Sequence, residues 1–136
     1  MKGILADINV IGPVGSLVRQ MQTPEWIGIW TSLNIEFKHF HDVGLSADST
    51  DLEIWQTCQS EQLVLVTDNR NRDRDDSMEA AIRKHNQPDC LPVFTISNIG
   101  RFQTSREFAK KVLEDFFDYL LRIDEVRGTG RLFLPQ

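Results

Sequence analysis

Leu63-Val64-Leu65-Val66-Thr67-Asp68-Asn69-Arg70-Asn71 is the stretch that decides how this chain is read. A short apolar run with no alternation breaks off into a polar cluster that contains an acid. Continuous apolar runs of this length read as strands buried on both faces, the kind found in parallel sheets covered by helices. Sites in such proteins lie beyond the carboxyl ends of the strands, so Asp68 is expected at the rim of the sheet. The beginning of the chain repeats the pattern, with Gly3-Ile4-Leu5-Ala6 followed by Asp7 and Asn9.

Around these two runs, strands and helices alternate. A first strand is expected over Lys2 to Ala6. Gly12, Pro13 and Gly15 then break the chain, and a short helix follows from Ser16 to Gln22. Thr23-Pro24-Glu25 reads as a helix start, a Thr cap with Pro at the first helical position. Trp26, Ile27, Trp30 and Leu33 fall on one face of that helix and read most simply as core anchors. A second strand covers Ile35, Phe37 and His39. Thr50 and Glu53 form a capping box for a helix to about Glu61. A helix opens at Asp76-Ser77-Met78-Glu79, and a fourth strand covers Leu91 to Ile96. Thr104-Ser105-Arg106-Glu107 reads as another capping box, opening the longest helix, which runs to about Ile123, and Arg131 to Leu134 adds a last strand. The class is α/β with a mostly parallel sheet.

The bulk numbers fit one ordinary globular domain over residues 1–136, at 40% hydrophobic and 26% charged residues. The formal charge of −5 announces no generally basic surface, although a local basic strip can still bind nucleic acid. Cys58 and Cys90 have neither C-x-x-C nor metal spacing and read as apolar groups in a reducing compartment. The acid at position 7 comes too early for a signal peptide, and no segment is long and apolar enough to span a membrane. A cytoplasmic location is expected. His39 and His41 share a strand face but find no third ligand at a zinc-like interval.

The topology sends several acids to one rim: Asp7, then Asp51 and Glu53, then Asp68, then Asp75 and Asp76. Three carboxylates about 5 Å apart repel by roughly 3 kcal/mol per pair at an effective dielectric near 20, so a closed cluster needs a cation. Oxygen-only ligands select Mg²⁺ or Mn²⁺. Such ions suit phosphodiester hydrolysis, with Arg70, Arg72 and Arg74 available to bind substrate phosphates. The plainer readings are local: Asp51 and Glu53 as first-turn acids, Asp75 or Asp76 as an N-cap, and the arginines as a solvated loop.

The runs Leu5-Ala6-Asp7-Ile8-Asn9, His41-Asp42-Val43-Gly44-Leu45 with Asp51-Leu52-Glu53-Ile54, and Val64-Leu65-Val66-Thr67-Asp68 together resemble the bacterial PIN-like proteins. These are similar to PIN-domain ribonucleases, many of them toxins of toxin–antitoxin pairs. The resemblance implies a three-layer α/β/α sandwich and a Mg²⁺ or Mn²⁺ site. By position Asp7 takes the first acid, Asp51 or Glu53 the second, Asp68 the third, and Asp75 or Asp76 a fourth. It further implies single-stranded RNA as substrate, with Asn9, Asn69, Arg70, Asn71 and Arg72 near it, and an antitoxin as partner.

A second expectation is a catalytically weak or inactive PIN-like interaction module. Asn69 and Asn71 motivate it, because they offer carbonyl oxygens without charge. So does the long last helix, where Leu113 and Leu121 widen the apolar stripe enough to suggest a homodimer contact. A phosphoacceptor receiver domain is set aside: it needs paired acids after the first strand, where Ile8 stands, and a Lys after the fourth.

Overall fold

At the centre of the sheet lies β3 (Leu63–Thr67), every residue of it buried. The computed structural model describes residues 1–68 and 77–136. On one side β3 pairs with β1 (Gly3–Ala6), which pairs in turn with the edge strand β2 (Glu36–Lys38). On the other side it pairs with β4 (Val93–Ile96), and β4 pairs with the edge strand β5 (Arg131–Leu134). The order is β2-β1-β3-β4-β5 and every pairing is parallel. A parallel sheet needs helical crossovers, which cover both faces and turn the protein into a three-layer α/β/α sandwich.

Side-chain alternation along each strand divides the core in two. Ile4, Ala6, Val64, Val66, Phe94, Ile96 and Leu134 face one helical layer. That layer consists of α1 (Ile11–Met21), α2 (Ile27–Leu33), α5 (Ile99–Thr104), α6 (Arg106–Leu121) and α7 (Ile123–Val126). Leu5, Leu63, Leu65 and Val93 face the other, made of α3 (Asp51–Glu61) and α4 (Met78–His85). The central strands thus spend apolar residues on both sides, which is why their sequences do not alternate.

Local chemistry explains the helix starts. Thr50 and Glu53 close the expected capping box on α3, with the Glu53 amide donating to Thr50 Oγ1 at 3.1 Å. Ser77 caps α4 with a single amide bond, and Ser105 rather than the expected Thr104 caps α6, because Thr104 ends α5 and its hydroxyl donates to the Gly100 carbonyl. On α6 the buried residues include Phe108, Val112, Phe116, Phe117 and Leu120. Phe116 meets Phe94 edge-on at 5.0 Å between ring centroids.

Several expectations are corrected. Helix α1 starts at Ile11, not Ser16, so Gly12, Pro13 and Gly15 lie inside it. Pro13 falls in the first turn, where backbone N–H groups lack intrahelical partners, and its ring therefore removes nothing. Thr23 does not cap α2: its hydroxyl donates to the Gln20 carbonyl at the end of α1. Ile27 is exposed, and the packed face of α2 is Trp26, Ile29, Trp30 and Leu33, with Trp26 stacked on Phe117 at 5.6 Å. The helix α5, capped by Asn98, precedes α6 in a segment for which no element was expected. Leu113 is buried in the core, so of the two residues thought to widen the α6 stripe only Leu121 stands exposed, at 59%. Among the described residues no helix is long and apolar enough to cross a membrane.

Candidate functional site

Asp7 follows the last residue of β1 and is 6% exposed. Its amide still donates to the Val66 carbonyl at 3.0 Å, which carries the β1–β3 ladder one residue past the strand. The pairing of Ala6 with Val66 brings Asp7 beside Thr67, and the Thr67 hydroxyl donates to Asp7 Oδ2 at 2.6 Å. The other oxygen, Oδ1, caps the short 3-10 turn Ile8–Val10 by accepting a long 3.3 Å bond from the Asn9 amide. All three partners are neutral. Among the described residues no Lys, Arg or His forms an ion pair with Asp7. A carboxylate this deep, without a cation beside it, is costly unless something positive joins it.

The remaining expected residues take different places. Asp68, half-buried, stands just past the end of β3 and one residue beyond Thr67. It is Thr67, not Asp68, that lies across from Asp7. Asp51 is the first residue of α3 and is half-buried. Glu53 is exposed, and its Oε1 lies 3.1 Å from the Thr50 hydroxyl in the capping box, a local job of the plainer kind. Asn9 is exposed and contributes its backbone amide rather than its side chain. Asn69, Arg70, Asn71, Arg72, Arg74, Asp75 and Asp76 lie outside the described residues. Among the described residues no three His, Cys, Asp or Glu side chains gather as a ligand set.

Two neighbours of Asp7 were not read as part of a site in the sequence. Thr67 is one; its signal was a hydroxyl at the last position of a doubly buried strand, where an apolar residue would have been cheaper. Cys58 on α3 is the second. Burial pushes its thiol up to about 12, and the charge of Asp7 adds to the shift, which links the carboxylate electrostatically to the α3 layer. One turn earlier on α3, Trp55 buries its Nε1 without a hydrogen-bond partner among the described residues. A polar row also continues along the sheet from Thr67. Thr95 pairs with Thr67, and the Arg131 guanidinium donates to Thr95 Oγ1 while its Nε sits 3.2 Å from Glu79 Oε2.

His39 and His41 stack at 5.8 Å and flank Asp42, with His41 Nε2 3.3 Å from Oδ1. The His39 backbone N–H, donating to Asp42 at 2.8 Å, is the main cause holding that carboxyl below its usual range.

Asp7 and Thr67 present hard oxygen atoms, and among the described residues no cationic side chain forms an ion pair with the buried carboxylate. Both properties fit a Mg²⁺- or Mn²⁺-sized cation. Comparison of the chain with models of known families, with curated proteins and with solved structures finds no match.

Proposed function

We propose that this chain is a Mg²⁺- or Mn²⁺-dependent ribonuclease of the PIN-like type, acting on single-stranded RNA, with an antitoxin as partner. The observation that carries the reading is Asp7, a buried carboxylate at the rim of a parallel sheet whose partners among the described residues are all neutral. Asp7 would hold the ion, and Asp51 from the start of α3 and Asp68 from the end of β3, which do not gather with it as a ready ligand set, are the acids that would have to close on it. A bound ion of this kind supplies Lewis acidity at the phosphate and offsets charge on the leaving oxygen. Thr67 acts through Asp7: its hydrogen bond fixes the plane of the carboxylate and leaves the remaining lone pairs free for the ion. The buried setting of Asp7 strengthens its attraction for a cation relative to a carboxylate in open water.

Cleavage of a 5′-labelled single-stranded RNA in the presence of Mn²⁺, by the wild type and by Asp7→Asn, tests the proposal. Wild-type cleavage that disappears on chelation and falls at least about 100-fold in Asp7→Asn is the expected result. A wild-type protein that neither binds Mn²⁺ calorimetrically nor cuts RNA overturns it and leaves the interaction-module reading.

A further inference from the structure

A groove of about 810 Å³ opens on the helical layer that lies on the other face of the sheet from α3 and α4. One wall is the start of α1, with Gly12, Pro13 and Ser16. The opposite wall is the α5–α6 junction, and Trp26 and Glu25 close one side. Two observations set the groove apart. First, Arg106 and Lys110 both line it, both are exposed, and no carboxylate pairs with either among the described residues. They stand one turn apart on α6, about 5–6 Å between Cβ atoms, close to the spacing of successive phosphates on an extended strand. Second, the remaining lining is rich in hydrogen-bonding groups: Ser16, Gln20, Thr23, Gln103 and Thr104. The half-buried indole of Trp26 adds an aromatic surface. With Glu25 counted against Arg106 and Lys110, the groove is still net positive, a local reversal of sign in a chain whose formal charge is −5.

We infer that this groove holds the phosphate backbone of a single-stranded nucleic acid, with Arg106 and Lys110 as the phosphate contacts. Positive grooves with an aromatic wall are the general solution to binding a strand without reading its sequence. The groove is also well placed. Helix α1 begins only four residues after Asp7, so a strand lying along it can reach the rim where β1 and β3 end. The inference rests on the ribonuclease reading for its choice of RNA, but its residues are separate from the acids.

Binding is measured by fluorescence anisotropy of a labelled twelve-nucleotide single-stranded RNA on Asp7→Asn protein. The comparison is Asp7→Asn carrying Arg106→Ala and Lys110→Ala as well. Each phosphate contact contributes roughly 0.7 to the slope of log K against log salt for single strands, so losing both lowers the slope by about 1.4. Affinity at low salt is expected to fall about tenfold. Unchanged affinity and slope overturn the inference, as does an absence of RNA binding by Asp7→Asn protein. Wild-type cleavage with undiminished cutting and binding in Arg106→Ala/Lys110→Ala removes the groove and leaves the nuclease. Groove-dependent binding without any wild-type cleavage removes the nuclease and leaves the groove. Both side chains are exposed, so the variants are expected to keep the wild-type circular dichroism.

Discussion

The hydroxyl of Thr67 and the carboxylate of Asp7 meet at 2.6 Å, joining the ends of two adjacent parallel strands with a fully buried hydrogen bond. Both residues sit where an apolar side chain would satisfy the core, so the pair is retained at some expense in burial. Thr67→Val keeps the shape and deletes the donor. It is expected to cost about 2 kcal/mol in urea unfolding, the usual range for a bond to a carboxylate left without its donor. Asp7→Asn still offers an oxygen to the hydroxyl and should unfold within about 1 kcal/mol of the wild type. A Thr67→Val variant as stable as the wild type shows that the bond adds nothing.

The two cysteines should separate cleanly in reactivity. Cys58 is buried with its thiol pushed up to about 12, whereas Cys90 is partly exposed. Titration of the native protein with a thiol reagent at pH 8 is expected to modify Cys90 and spare Cys58 until denaturant is added. The same shift has a pH consequence. A thiol whose folded value lies above its unfolded one stabilises the fold at pH below the unfolded value near 8.5, and that share fades as the pH rises toward 12. Cys58→Ala should therefore flatten the alkaline limb of the stability profile. Equal labelling of both thiols in the folded protein contradicts this.

At the acid end the carboxyls held below their ordinary range include Asp42 and Asp124 beside Glu36, which Lys38 lowers. The His39 amide lowers the first, and a hydrogen bond from Arg127 lowers the second. A carboxyl with a depressed folded value stabilises the protein above the ordinary carboxylate range near 4, and loses that share as pH falls through the depressed value. Both groups lie at the surface, so the effect is small and sensitive to salt. Asp42→Asn is expected to make stability fall less steeply between about pH 4 and pH 2, read from urea midpoints in low salt. An unchanged acid limb argues against it.

The Arg131–Glu79 pair ties β5 to α4 with an Arg side chain only 10% exposed. Breaking a buried pair from one side is worse than removing both partners. Glu79→Gln alone should destabilise by about 2 kcal/mol, and the cycle with Arg131→Met should return a coupling of about 1–3 kcal/mol. A coupling near zero means that the guanidinium is held by its other bonds.

Gly3 tests the packing of the edge strand. A Cβ at this position collides with the backbone carbonyl oxygen of Glu36 on β2, so something other than a flexible side chain has to move. Gly3→Ala is expected to destabilise by about 1–3 kcal/mol, the usual cost of overpacking, and to loosen the β1–β2 amides in hydrogen exchange.

Much of this architecture could be seen in the chain because its local signals agree with the fold. Leu63–Thr67 matches its strand residue for residue, and the Thr50/Glu53 box marks the start of α3. Pro13 misled because Pro and Gly signal breaks only when their place relative to the helix start is known. Asn98 and α5 were hidden because a helix of six residues leaves almost no periodic pattern. For the site, an acid after an apolar run marked Asp7 correctly as a rim residue. Its partner was not legible, because strand register decides whether Thr67 or Asp68 stands opposite, and register depends on contacts between distant segments. The groove residues Arg106 and Lys110 looked like any solvated face of α6, since nothing local reveals that α1 stands across from them.

Asp7 and Thr67 are 60 residues apart along the chain, and parallel pairing across that separation is slow to form. During synthesis the first strand must therefore wait for its neighbour to leave the ribosome before the rim exists at all. Whatever the rim holds is therefore withheld until about half of the 136 residues have been made.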